Sequence, residues 1–196
     1  MNVRCRWMGW RFIVGGLLAL TIVSPSLARG QGVASQRLAQ ESTQTEVSES
    51  TIKARLLYKF ASFVDWPARV FPARDTPLTI CIAGTDPFGP LADEVAEDAV
   101  FGARRIEVRR VDSTETSELC HIMFVGRDGG APENAQARSV LTITDGDDYP
   151  YGKGIIHFVV RDNRVRFEID ERAAQQSGLI ISSKLLNLAE SVRPKG

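Results

Sequence analysis

Residues 78–83 read Leu78-Thr79-Ile80-Cys81-Ile82-Ala83, a short apolar, β-branched run that ends at Gly84. Such a run, closed by a glycine, predicts a buried strand. Outward from it, Asp86-Pro87 opens a helix through Leu91 and Val95, with Pro87 suited to the first helical turn. Arg105 to Val111 alternates apolar and polar residues and reads as a half-exposed strand. Cys120 to Val125 is a third apolar strand, ended by Gly126, and Val140 to Thr144 is a fourth. A short helix is expected between them, around Glu133–Arg138. Strands alternating with short helices predict an α/β domain whose first part is largely parallel.

Upstream, Ile52, Leu56, Leu57, Phe60, Phe63 and Val64 recur at helical spacing from Thr51 to Asp65, with Lys53, Arg55 and Lys59 between them. Pro67 stops this helix, because the residue before a proline resists the α region. Downstream, Ile155–Arg161 and Arg164–Asp170 form two strands joined at Asp162-Asn163, a tight hairpin turn. The second strand sets Val165, Phe167 and Ile169 on one face and Arg164, Arg166, Glu168 and Asp170 on the other, so it is half exposed. A helical segment from Glu171 past Gly178 to Ala189 directs Ile181, Leu185, Leu186 and Leu188 to the core. The fold class is α/β: a single layered domain with a mixed β-sheet, largely parallel at first and closed by a C-terminal hairpin, flanked by helices.

The first 28 residues read as a cleavable secretory signal peptide. Arg4, Arg6 and Arg11 precede the apolar stretch Phe12–Val23, and Pro25 leads into Ser26-Leu27-Ala28, small residues set for cleavage after Ala28. That stretch is shorter than the about 20 residues of a membrane span; an uncleaved anchor is the other reading. Residues 29–47, rich in Gln, Ser and Thr, form a flexible linker, and the ordered domain runs from 48 to 192. Of 24 basic and 24 acidic residues the leader takes three arginines, so the exported part has 21 against 24. A slightly acidic surface gives nucleic acid and anionic lipid no general attraction. Cys5 leaves with the leader, and Cys81 and Cys120 remain. An even count in an oxidising compartment favours a disulfide; two buried free thiols are the alternative.

No catalytic set emerges. His121 and His157 both lie inside apolar strands, where a histidine making one hydrogen bond in the core accounts for each. Cys120 and His121 are adjacent in a strand, so their side chains point to opposite faces. Asp145, Asp147 and Asp148 have the wrong spacing for a calcium loop and read as acidic turn residues in solvent. The stretch Gly146–Gly154 fails as a phosphate loop, since two aspartates would repel phosphate and no Ser or Thr follows Lys153. Neither a metal nor a cofactor is expected. Tyr149 and Tyr151 in this loop are candidate partner contacts, or else fold over the sheet end. Trp66 either caps the core or belongs to a contact surface.

Several segments in one order carry a resemblance. Ile52-Lys53-Ala54, Leu57-Tyr58-Lys59-Phe60 and Phe63-Val64-Asp65-Trp66-Pro67 are followed by Leu78–Gly84 with Asp86-Pro87-Phe88-Gly89. Cys120–Gly126, Val140–Asp145, Gly154–Phe158, Val165–Asp170, and Gly178-Leu179 through Ser182–Leu186 complete the series. Together they resemble the YfiR-like family across nearly all of residues 50–190. The resemblance implies a periplasmic α/β domain that restrains an inner-membrane diguanylate cyclase by binding its periplasmic part; the lack of a reactive constellation points, on its own, to a binding protein and not an enzyme. It also implies relief by an OmpA-like outer-membrane lipoprotein, so that cyclic di-GMP output follows envelope stress or redox state. The family's disulfide maps onto Cys81 and Cys120; the second disulfide of some relatives has no cysteines here.

The expected function is therefore a periplasmic regulatory binding protein whose partner is a membrane-bound cyclase or kinase. Trp66, Tyr149, Tyr151, Arg166 and Glu168 are the candidate contact residues. The half-exposed hairpin strand is an edge through which a homodimer could form. A periplasmic small-ligand sensor with a pocket near the strand ends and the Asp145–Gly154 loop is the alternative. An envelope hydrolase would have to use His121 and His157.

Overall fold

An apolar stripe of Ala54, Leu57, Tyr58, Phe60 and Ala61, all buried, lays helix α1 (residues 49–61) against the sheet. The computed structural model describes residues 49–112, 120–130, 138–146 and 154–195; the expected signal peptide, the linker and the helix around Glu133 lie outside them. Among the described residues no helix is long and apolar enough to cross a membrane.

Helix α1 stops earlier than its periodicity suggests. The Ser62 and Phe63 N–H groups donate to the carbonyls of Lys59 (3.1 Å) and Phe60 (2.9 Å), turning the chain out of the helix. Val64–Asp65 is strand β1 and pairs antiparallel with β9, Ile180–Ile181. The Phe63 carbonyl also accepts the Ser182 N–H at 2.9 Å. A β-branched Val64 that gains strand partners and burial prefers the extended form to one more helical turn.

The main sheet contains β2 (Leu78–Ala83), β3 (Val100–Phe101), β4 (Arg104–Val111), β5 (Ile122–Val125), β6 (Leu141–Asp145), β7 (Ile156–Arg161), β8 (Arg164–Asp170) and β10 (Ser191–Arg193). Their spatial order is β10-β8-β7-β6-β5-β2-β4-β3. The five strands β4-β2-β5-β6-β7 are parallel. The β7–β8 hairpin is antiparallel, and both residues of its turn, Asp162 and Asn163, take positive φ as a type I′ turn requires. The fold is thus α/β with one mixed sheet, as its alternating pattern predicts.

Three details differ from that pattern. Helix α2 (Pro90–Asp98) starts with Pro90 in its first turn. Pro87 precedes it, because the Asp86 carboxylate accepts the Phe88 and Gly89 N–H groups (2.8 and 3.1 Å) and holds a turn there. The segment after β8 is two short helices, α3 (Glu171–Gln176) and α4 (Ser183–Leu186), separated by β9. Gly178, at φ +69°, ends α3 in the left-handed region, and Leu188 consequently faces solvent, 65% exposed. Strand β8 is not a free edge: β10 pairs with it from Glu168 to Asp170, and the Glu190 N–H donates to the Phe167 carbonyl at 2.8 Å.

Alternation along the strands splits the interior in two. Leu78, Ile80, Ile82, Ile122, Phe124, Leu141, Ile143, Ile156, Phe158 and Ile169 face α1 and α2. Cys81, Ala83, Cys120, Met123, Val125 and Val140 form a smaller cluster. The Tyr58 hydroxyl donates to the Ala92 carbonyl, tying α1 to α2. Burial first, and then the nearby Asp93 charge, push the Tyr58 pKa well above its ordinary value. In the unfolded chain this phenol ionises near about pH 10, so stability is full below that pH and falls as pH rises beyond it. Tyr58→Phe should cost about 1–2 kcal/mol at neutral pH and reduce the alkaline loss, as urea melts at pH 7 and above about pH 10 would report.

Candidate functional site

Glycines build the carboxyl end of the parallel strands. A Cβ on Gly126 would lie 2.0 Å from the Thr85 carbonyl oxygen, and one on Gly84 would lie 2.3 Å from the Gly129 nitrogen. The turns after β2 and β5 therefore touch backbone to backbone, and no larger residue fits between them. The Thr85 hydroxyl clasps the same two turns by donating to Asp128 at 2.7 Å.

Beside this junction sits a buried ammonium. Lys53 is 5% exposed. Its Nζ donates to both carboxylate oxygens of Asp145, at 2.7 and 2.9 Å, and to Glu49 one helical turn away. These two positions overturn sequence expectations. Lys53 reads as one of the polar positions between apolar ones, yet it faces inward. Asp145 reads as a solvated turn residue, yet it ends β6 with only 21% of its side chain exposed. A usable signal was that Lys53 shares the i, i+4, i+7 stripe with Leu57 and Phe60. No local pattern names Asp145 as its partner across 92 positions.

Between α1 and the strand ends opens a cavity of about 390 Å³. Lys53, Glu49 and Asp145 line one side, Thr85, Arg127 and Asp128 another, and Phe124 and Phe158 the apolar part. Its position follows from the topology. The chain leaves β2 for β4 on one side and returns to β5 on the other, and a sheet that reverses direction this way leaves a crevice at those carboxyl ends.

Cys81 in β2 and Cys120 just before β5, 39 positions apart in sequence, form a disulfide with Cα atoms 5.7 Å apart. Both sulfurs belong to the smaller buried cluster, so the bond staples the two central strands from within. Each histidine has a structural post. His121 Nδ1 accepts the Thr79 N–H at 3.1 Å, which leaves the ring neutral with Nε2 toward the Val70 carbonyl at 3.3 Å. The ring stacks on Phe71 at 4.5 Å. His157 Nδ1 lies 2.7 Å from the Thr144 hydroxyl, a nucleophile–base distance. Thr144 is only 2% exposed, however, and offers a substrate no approach.

The candidate contact residues do not converge. Trp66 is half-buried, edge-on to Phe101 of β3 at 5.6 Å and to Phe71 at 6.3 Å. Its indole N–H is buried and has no hydrogen-bond partner among the described residues. Arg166, exposed, and Glu168, half-buried, lie on β8, with Arg166 3.9 Å from Glu190. Six inter-strand steps separate β8 from β3, about 29 Å at about 4.8 Å each. Tyr149 and Tyr151, like Asp147 and Asp148, lie outside the described residues. Sequence reasoning passed over the exposed apolar side chains Val100 (72%) and Ile180 (66%). Nothing in their local pattern separates them from buried strand residues.

Replacing Cys81 by Ser should cost roughly 2–5 kcal/mol of stability. Thermal melts with and without reductant check this, and an unchanged melting temperature would count against a structural role for the bond.

The YfiR/HmsC-like family profile matches residues 50–190. A search of curated proteins found no match. The matched span covers every element from α1 to β9 and α4, together with both disulfide cysteines and the strand-end junction. With well over half of its length matched, the chain belongs to the YfiR/HmsC-like family.

Proposed function

We propose that this protein is a periplasmic regulator that restrains a membrane-bound signalling protein, a diguanylate cyclase, by binding its periplasmic part. The observation that carries the reading is the family match over residues 50–190, which covers nearly the whole expected domain of 48–192. Two features support it. A disulfide within the core suits an oxidising compartment, in line with a signal peptide over residues 1–28 and a linker over 29–47. The two histidines are spent on structural hydrogen bonds, which agrees with binding rather than catalysis.

Contacts with the partner are assigned to Arg166 and Glu168 on β8, to Trp66 at the opposite edge, and to Tyr149 and Tyr151. Because Trp66 and β8 lie on opposite sides of the sheet, one partner domain meets one of these regions and leaves the other for a second molecule. An OmpA-like outer-membrane lipoprotein that relieves the restraint, or a second copy of this chain, fits that second place.

Capture experiments with the protein as bait should retain the periplasmic part of a membrane cyclase. Arg166→Glu should weaken that capture, while Trp66→Ala should affect a different partner. Deleting the gene should raise cellular cyclic di-GMP, and an unchanged level would count decisively against the restraint.

A further inference from the structure

The cavity beside Lys53 has a chemistry that the restraint of a cyclase does not use. We propose that it is a binding site for a small organic ammonium compound: a primary amine carried on a compact apolar body. The inference stands apart from the identity of any protein partner.

Location comes first. Ligands of open α/β sheets bind outside the carboxyl ends of the strands where the chain reverses direction, and this cavity lies at the ends of β2, β5 and β6. Its volume of about 390 Å³ is within the range of small-molecule sites. Close backbone contacts at Gly84 and Gly126, with the Thr85–Asp128 hydrogen bond, hold together the turns after β2 and β5 that form one wall.

The polar wall then selects the ligand. An ammonium group has three donors. Those of Lys53 are met by Glu49 and by the two oxygens of Asp145. The Thr85 hydroxyl is likewise committed to Asp128. The Lys53 and Thr85 donors are thus spent, while the carboxylate oxygens retain free lone pairs. Two carboxylates surround one ammonium, and Glu49 and Asp145 keep 30% and 21% of their side chains exposed. An anion would meet this surplus of negative charge among the described lining residues. A ligand that brings its own N–H donors and a positive charge completes the set. The rings of Phe124 and Phe158 supply an apolar surface for its body, and Phe158 already lies 5.9 Å from one cation, Lys53 Nζ. Arg127, exposed, also lines the cavity, and the described lining still sets three carboxylates, Glu49, Asp128 and Asp145, against two cations, Lys53 and Arg127.

Phenethylamine, phenethyl alcohol and 3-phenylpropionate present one body with three head groups. Added to the purified protein at up to about 10 mM, where a millimolar site is mostly filled, only the amine should raise the melting temperature, and saturably. Val160→Trp, at an exposed lining position of β7, should abolish the shift by filling the mouth. Glu49→Gln, which leaves the Lys53–Asp145 pair in place, should weaken binding about tenfold. The site is overturned if no compound shifts the melting temperature, or if both variants respond as the parent protein does. The ammonium assignment is overturned if the alcohol or the carboxylate stabilises as well as the amine.

Discussion

Strand β2 has neither a free face nor a free edge. All six residues from Leu78 to Ala83 are buried, β4 pairs along one side and β5 along the other. A strand enclosed in this way must be apolar throughout and must be reached by crossovers on both sides. The chain visits β4 first and then returns past β2 to β5. The crevice at the carboxyl ends, the touching turns at Gly84 and Gly126, and the placement of Cys81 next to Cys120 are all consequences of that position.

The two faces of the sheet are secured by different means. Toward α1 and α2 the core is broad and aromatic, with Phe60 edge-on to Phe167 at 5.1 Å. In the smaller cluster few large side chains are available, and a covalent bond holds β2 to β5. Burying the Lys53 ammonium costs several kcal/mol unless it is paired. Here two carboxylates offset that cost, which fixes α1 against β6 at one particular register. Apolar contacts alone would tolerate a slide of α1 more readily than this ion pair does.

A regulator that acts by contact needs a rigid frame and surfaces pointing in more than one direction. The frame is the stapled parallel core. The surfaces proposed for such contacts lie apart, on β8 and around Trp66. The cavity at the strand ends is a third place, and α1 forms one of its walls. A compound bound there would act on the helix that also leads, through β1, to Trp66.

The sequence by itself determined the α/β class, the buried strands at Leu78, Cys120 and Val140, and the hairpin at Asp162-Asn163, because each is encoded by neighbours in the chain through periodicity and turn chemistry. Its collinear motifs also carried the family. Only the tertiary structure decided the rest. Val64 leaves the helix because Ile181, far along the chain, gives it a strand partner. Leu188 is exposed because β9 and Gly178 break the helix that would have buried it. Lys53 is buried because Asp145 arrives beside it from another strand. In each case the deciding interaction joins residues distant in sequence, and local spacing holds no record of which distant residue folding will bring near.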